Sequence, residues 1–145
     1  MQNISTPMLV VAAALIAADR SVLLQRRPLG TVHGGLWEFP GGKVSAGESP
    51  EIALVRELME ELEIVVDPGG LKPLAFASGK TAGEEASRPL VILFYTCTKW
   101  VDEPRCVEGA ELGWFGPGSI ASLAMPPLDY PLAARLREAV ERDGF

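Results

Sequence analysis

The sequence predicts an α/β fold in which a mixed sheet carries helices on both faces. The chain has 145 residues, a length that fits one domain (residues 1–145) with a core of its own. Apolar residues make up 48% and charged residues 22% of it, as is ordinary for a globular protein. Apolar and amphipathic segments follow one another in the order strand, strand, helix, strands, helix. This order predicts the fold class.

The first two strands are predicted from two apolar runs, Met8–Ala18 and Ser21–Arg27. Residues 18–20, Ala-Asp-Arg, separate the runs and are predicted to form a hairpin turn. A long glycine-rich loop follows, from Pro28 to Ser49.

A helix is predicted to begin after this loop and to end near Leu62. Ser49 is a suitable N-cap, and Pro50 suits the first helical position because its missing N–H would be unpaired there anyway. Apolar side chains then recur at helical spacing. The helix is therefore predicted to bury one stripe, formed by Ile52, Val55, Met59 and Leu62.

The second half of the chain is predicted to hold three strands and a closing helix. The strands are Leu71–Ser78, Pro89–Thr98 and the shorter Leu112–Phe115. A helical turn is expected at Ser119–Leu123, and Tyr130–Arg142 has the pattern of an amphipathic helix.

Charge and hydropathy limit the classes of function. The net charge of −6 gives no general attraction for a nucleic acid polymer, so no such partner is expected. The apolar run Met8–Ala18 is shorter than the ~18 residues that a membrane span needs. No Lys or Arg precedes Arg20, so the run also lacks the basic flank of a signal peptide. A cytoplasmic protein without membrane association is therefore expected.

Three glutamates crowd one face of the predicted helix. Glu57, Glu60 and Glu61 are spaced i, i+3, i+4, and like charges at this spacing repel by some tenths of a kcal/mol per pair. The segment has two interpretations when taken alone. It could be a solvated acidic face, the usual meaning of a charge run, or a site for a hard cation such as Mg²⁺.

The residues around this helix resemble the Nudix box. The segment Gly42–Ile64, "GKVSAGESPEIALVRELMEELEI", is similar to the family pattern G-x5-E-x7-R-E-U-x-E-E-x-G-U, where U is a bulky aliphatic residue. Every defined position matches except one, because Glu63 stands where the family has Gly. The preceding "LWEFPGGK" (Leu36–Lys43) is similar to the MutT-type branch. The resemblance implies a Nudix-type α/β/α sandwich with a mixed central sheet.

The resemblance also implies a metal centre. Mg²⁺, or Mn²⁺ in its place, would be bound by the carboxylates of the box and by further oxygens: Glu57, Glu60, Glu61, Glu108 and the backbone carbonyl of Gly41. Alternatively, Glu108 would orient the attacking water. Glu48 would be a supporting carboxylate behind these ligands. Arg56 would hold the catalytic glutamates in place.

Substrate contacts are implied in the same way. Arg27 would contact phosphate, and three residues would contact the nucleobase: Phe39, Arg88 and Asp129. The resemblance implies a nucleoside triphosphate diphosphatase, a monomer or homodimer, in which substitution at the β-phosphorus releases the monophosphate and pyrophosphate.

Four functions remain open from the sequence. The leading one is hydrolysis of 8-oxo-dGTP, which removes a damaged nucleotide from the pool and so protects DNA. Position 129 carries Asp where the best-known MutT pattern has Asn, so hydrolysis of CTP or 5-methyl-dCTP is the close alternative. The other two are a catalytically inactive nucleotide sensor and a structural domain with an acidic helix. The intact set Glu57, Glu60 and Glu61 argues against the sensor.

Overall fold

The protein is described by a computed structural model over residues 6–81 and 87–143. Within these residues the chain forms seven strands and two α-helices. The helices are α1 (Pro50–Leu62) and α2 (Asp129–Asp143). The strands in chain order are β1 Met8–Leu15, β2 Val22–Arg26, β3 Trp37–Glu38, β4 Gly41–Lys43, β5 Lys72–Lys80, β6 Pro89–Cys97 and β7 Glu111–Phe115.

The strands form two sheets. The larger sheet has the order β4-β1-β6-β5; β1 and β6 are parallel, whereas β4 and β5 are each antiparallel to their neighbour. The smaller sheet has the order β3-β2-β7 and is antiparallel. The predicted α/β fold with a mixed sheet is confirmed, and the second sheet is an addition to it.

Strand β1 separates the two halves of the core. Its successive side chains point to opposite faces of the sheet, as the period of two requires. Val11, Ala13 and Leu15 pack in one cluster with the α1 residues Leu54, Leu58 and Leu62. Ala12 and Ala14 pack in the other cluster with the α2 residues Leu132 and Leu136. The mixed sheet is thus the middle layer between the two helices.

The start of the chain differs in one respect from the predicted hairpin. A tight turn is present, since Ala17 N–H donates to the Ser21 carbonyl at 2.9 Å and a single bridge joins Ile16 to Val22. However, β1 ends at Leu15, and β2 continues in the smaller sheet. Both edges of β1 are already paired, with β4 and with β6, so β2 has to pair elsewhere.

Helix α1 has the predicted bounds but buries a different stripe. The Ser49 hydroxyl accepts a hydrogen bond from Ile52 N–H at 3.2 Å, which confirms the N-cap. Ile52 and Met59 are 48% and 42% exposed, so the predicted stripe was wrong at both positions. The buried face instead consists of Ala53, Leu54, Leu58, Glu61 and Leu62. Leucine recurs every four residues from Leu54, and this row faces β1.

The later elements agree with the prediction to within a few residues. Strands β5, β6 and β7 lie where the apolar runs placed them, and α2 extends the predicted helix by one residue at each end. A short 3-10 turn at Ile120–Ser122 lies inside the predicted helical turn. In the part of the chain that the structure describes, no helix combines the length and the apolar character that crossing a membrane requires.

The end of α1 retains the geometry that usually calls for glycine. Glu63 has φ 56° and ψ 38°, in the left-handed region, and its N–H donates to the Met59 carbonyl at 3.0 Å. A side chain in this region costs about 1 kcal/mol, and Glu63 gains only an exposed ion pair with Arg105 at 3.6 Å. The turn therefore forms at the expense of some stability.

We expect Glu63→Gly to raise the free energy of unfolding by about 0.5–1 kcal/mol, because glycine adopts φ > 0 without strain. Thermal unfolding followed by circular dichroism should show a midpoint about 2–3 °C higher. Glu63→Ala is the matched control, because it removes the same ion pair and keeps the strain. An equal gain in Glu63→Ala would contradict the explanation.

Candidate functional site

A cavity of about 270 Å³ opens between α1 and β4 and has acidic walls. Helix α1 contributes Glu57 and Glu61, and the loop before β7 contributes Glu108. Gly41 and Gly42 form the wall on the side of β4. Two glutamates of the box and an acidic residue almost fifty positions later in the chain therefore face one space.

Glu61 is the most buried carboxylate of this cavity, with 6% of its surface exposed. Gly41 N–H donates to its Oε2 at 3.1 Å, and the Gln25 amide nitrogen donates to its Oε1. Burial raises the pKa of Glu61 to about 8, and the negative charge of Glu57 adds to the rise. The carboxyl group is therefore fixed in position but poorly solvated as an anion.

Arg56 joins the residues that precede and follow it in the box. Its Nε and Nη2 donate to the two oxygens of Glu48 at 2.7 and 2.9 Å. Its Nη1 donates to Glu57 Oε1 at 2.9 Å and to Glu60 Oε2 at 3.2 Å. The same guanidinium donates to the Lys43 carbonyl at 3.1 Å, so it also fastens α1 to the end of β4.

The two glycines of β4 permit a close approach that a larger residue would prevent. A Cβ atom at Gly42 would lie 2.3 Å from the carboxyl carbon of Glu57. A Cβ atom at Gly41 would lie 1.9 Å from the Val11 carbonyl oxygen of β1. Glycine at both positions lets β4 pair with β1 while the Glu57 carboxylate rests against the strand.

The residues of this cavity fit a hard divalent cation. Its walls provide carboxylate oxygens, the donors that Mg²⁺ and Mn²⁺ prefer, and Gly42 leaves Glu57 the space that a methyl group would fill. Burial raises the pKa of Glu57 even though Arg56 pairs with it, and burial also raises the pKa of Glu61, whose hydrogen-bond donors are neutral. Additional positive charge would therefore stabilise both anions. Among the described residues, no three acidic, His or Cys side chains are already gathered as a finished metal cluster.

Glu60 is the box glutamate that stands apart from the cavity. Its side chain is 49% exposed and is paired with Arg56. It does not line the cavity that Glu57 and Glu61 share. To join them as a ligand, Glu60 would have to leave the guanidinium and turn inward.

Arg27 lines the acidic cavity, and its guanidinium already forms hydrogen bonds within the protein. Its Nη1 donates to Glu38 Oε1 at 2.9 Å, and its Nε donates to the Val32 carbonyl at 2.7 Å. These bonds fix the guanidinium at the cavity wall. The phosphate contact implied for Arg27 stays a prediction.

A second, mostly apolar cavity of about 310 Å³ adjoins the first. Leu90, Ile92 and the segment Pro126–Leu128 form its apolar walls, and Glu38, Ile92 and Asp129 line both cavities. Asp129 begins α2 and is 7% exposed. Its Oδ2 accepts a hydrogen bond from Phe39 N–H at 3.2 Å, and burial raises its pKa to about 7.

The other two residues predicted to contact the base, Phe39 and Arg88, do not line the apolar cavity. The Phe39 ring is buried and packs against Phe94, with ring centroids 4.6 Å apart, although the residue also lines the acidic cavity. Arg88 is exposed, its N–H is held by the Thr81 hydroxyl at 3.0 Å, and it lines neither cavity.

Two residues at this site were missed by sequence reasoning. Gln25 is a buried polar side chain that directly follows the apolar residues Val22, Leu23 and Leu24 of strand β2, which is a detectable signal. Glu38 lies within the aromatic segment "LWEFPGG", and nothing local to it indicates that its carboxylate would be largely buried beside Arg27. Lys80 and His33 also line the apolar cavity.

Known proteins provide three informative comparisons. Residues 6–137 match the family described as the NUDIX domain. The 8-oxo-dGTP diphosphatase of Escherichia coli strain K12 is 30% identical over 131 residues, which cover 89% of this chain and 96% of that protein. The CTP pyrophosphohydrolase of the same strain is 52% identical over 62 residues, which cover 43% of this chain and 46% of that protein.

The solution structure of the E. coli ORF135 protein has a similar fold. Its TM-score is 0.77 with 28% sequence identity, and the match covers 98% of this chain and 97% of that one. The resemblance thus extends over both sheets and both helices described above.

We expect the free energy of unfolding of the Asp129→Asn variant, relative to the original chain, to rise by roughly 4 kcal/mol between pH 4 and pH 8. The pKa of Asp129 is raised from 3.8 to about 7, so its contribution to stability is complete below about pH 4 and is lost as the pH rises through about 7. The Asn side chain does not ionise, so its contribution to stability does not change over this pH range. Urea unfolding at several pH values, without divalent cations, measures this difference.

Asp19→Asn is the control of opposite sign. Hydrogen bonds from Ser21 lower the pKa of Asp19. Asp19 therefore contributes stability above about pH 4 and loses this contribution as the pH decreases below that value. A constant difference for Asp129→Asn across the range would show that Asp129 is not a buried titrating group.

Proposed function

Because this chain belongs to the Nudix family and is a hydrolase of that family, we propose that it converts nucleoside triphosphates to monophosphates and pyrophosphate with a divalent cation. The supporting observation is the junction of an acidic cavity and an apolar cavity. A nucleotide has one anionic end and one flat, largely apolar end. The two cavities match these ends in chemistry and are adjacent.

The cation is proposed as Mg²⁺, which Mn²⁺ can replace. A protein with a net charge of −6 repels a triphosphate, so positive charge is needed beside the carboxylates. The residues that would hold the ion are Glu57, Glu60, Glu61, Glu108 and the carbonyl of Gly41. When bound, a divalent cation offsets phosphate charge and makes a coordinated water more acidic.

The chain's own residues orient the reacting groups. Arg56 fixes Glu57 through a 2.9 Å hydrogen bond, and Glu48 holds Arg56 from the opposite side. Gly41 N–H and the Gln25 amide fix Glu61. A carboxylate of this cavity would accept the proton of the water that attacks the β-phosphorus. Arg27 would use an N–H group outside its bond to Glu38 to contact phosphate.

The preferred base is proposed to be 8-oxoguanine, with CTP and 5-methyl-dCTP as the second candidates. A pKa of about 7 leaves a substantial part of Asp129 protonated near neutral pH, so its carboxyl group can both donate and accept a hydrogen bond. An Asn at this position would offer the same two functions. The 52% identity to a CTP pyrophosphohydrolase over 62 residues supports the pyrimidine nucleotides as the second candidates.

One experiment tests the proposal as a whole. Pyrophosphate release is measured with Mg²⁺ for 8-oxo-dGTP, dGTP, CTP and 5-methyl-dCTP. Release of the mononucleotide is measured by chromatography for nucleotide sugars and dinucleoside polyphosphates. We expect turnover of at least one triphosphate, abolished by a chelator and restored by Mg²⁺ or Mn²⁺. Nucleotide binding without pyrophosphate release would instead identify a sensor. Absence of both would leave a structural domain.

We expect Glu57→Gln and Glu61→Gln each to lower kcat by about 100-fold or more, because each removes a charged oxygen ligand while preserving shape. Glu138→Gln on the exposed face of α2 is the matched control and should keep full activity. Circular dichroism should show the fold unchanged. Near-normal turnover in either cavity variant would rule out the proposed metal site.

We expect Asp129→Asn to change the ranking of substrates more than the overall rate. The amide cannot ionise, so the pyrimidine substrates and the guanine substrates should respond by different factors. The measurement is kcat/KM for the four triphosphates at pH 7 and pH 8.5. An identical ranking in both proteins would remove Asp129 from the choice of base.

A further inference from the structure

We propose that Glu38 accepts a hydrogen bond from a sugar hydroxyl of the bound nucleotide and thereby determines which sugars the site accepts. This inference rests on the proposed function, since it concerns the middle of the same substrate. Neither the box pattern nor the comparisons assign a role to this residue.

The position of Glu38 provides the first argument. It lines the acidic cavity and the apolar cavity. It also lines a third cavity of about 180 Å³, together with Gln25, Glu61 and Glu108. A nucleotide with its phosphates near Glu57 and its base near Leu128 must place its sugar where the first two cavities meet, beside Glu38.

Hydrogen-bonding capacity provides the second argument. Three residues line both the acidic cavity and the apolar cavity: Glu38, Ile92 and Asp129. Ile92 offers no polar group, and Asp129, whose Oδ2 accepts a bond from Phe39 N–H, is the residue proposed above to contact the base. Arg27 occupies Oε1 of Glu38 at 2.9 Å, and among the described residues no hydrogen bond to Oε2 is formed. Glu38 therefore keeps an acceptor for the ligand.

The chemistry of the ligand provides the third argument. An ionised carboxylate only accepts hydrogen bonds, so Glu38 is unsuited to a phosphate, which is itself an anion. Between the base and the phosphates, the sugar hydroxyls are the groups that donate. Arg27 holds the Glu38 side chain, which is only 21% exposed, and the fixed carboxylate can then distinguish a sugar that has the hydroxyl from one that lacks it.

The test removes sugar hydroxyls one at a time from the same base. Values of kcat/KM are measured with Mg²⁺ for CTP, dCTP and 2′,3′-dideoxy-CTP, and for the corresponding guanine series. In the unaltered protein we expect kcat/KM to decrease about tenfold or more between the substrate that carries the recognised hydroxyl and the one that lacks it. In Glu38→Ala the same comparison should show a decrease in kcat/KM of less than about threefold, and in Glu38→Gln the decrease should be intermediate.

Glu111→Gln is the matched control. Glu111 pairs with Arg26 at 2.8 Å, just as Glu38 pairs with the neighbouring Arg27, but it lines none of the three cavities. This variant should keep the full loss of the unaltered protein. Thermal unfolding checks each fold, and Glu38→Gln carries the comparison if Glu38→Ala does not fold.

The outcomes are distinguishable. An equal loss in the unaltered protein and in the Glu38 variants would overturn the role of Glu38 and leave the proposed function standing. The role of Glu38 would also be overturned if kcat/KM of the unaltered protein did not depend on any sugar hydroxyl, or if Glu111→Gln behaved like Glu38→Ala. Absence of turnover for every triphosphate would overturn the proposed function and this inference with it.

Discussion

The arrangement of the site depends on the guanidinium of Arg56. Its hydrogen bonds reach Glu48, Glu57, Glu60 and the Lys43 carbonyl, so one side chain joins a loop, a helix and a strand. Without it, the carboxylates of α1 would repel one another and the helix would lose a link to β4. The hydrogen bond from Arg56 is also the main reason that the pKa of Glu48 is lowered to about 2. Glu48 thus stays an anion and keeps hold of the arginine.

The site combines two acidic side chains that are paired with an arginine and two that are not. Glu48 and Glu57 share the charge of Arg56, whereas Glu61 and Asp129 are buried with mainly neutral hydrogen-bond donors. Burial raises the pKa of both, to about 8 and about 7. The first of these lies in the acidic cavity, where a cation can supply the missing charge. The second borders the apolar cavity, where a proton can.

Local rules were sufficient for the parts of the fold that are local in sequence. The start of α1 follows from Ser49 and Pro50, and the spacing of the box follows from one helical face. The hydrophobic stripe was harder to predict, because the apolar residues of α1 allow two faces and only contact with β1 selects the one that contains Leu54. Similarly, the turn before β2 was predictable, but its assignment to a second sheet depends on β4 and β6 occupying both edges of β1.

The contacts that assemble the site join distant parts of the chain. Gln25 contacts Glu61 across 36 positions, and Phe39 contacts Asp129 across 90. No local pattern encodes such pairs. The parallel pairing of β1 with β6 joins Met8 to Leu90, so the sheet cannot close until most of the chain is available. Loop closure over such lengths is slow compared with helix formation. The Arg56–Glu48 pair spans only 8 positions, whereas the cavities require contacts between segments far apart in the sequence.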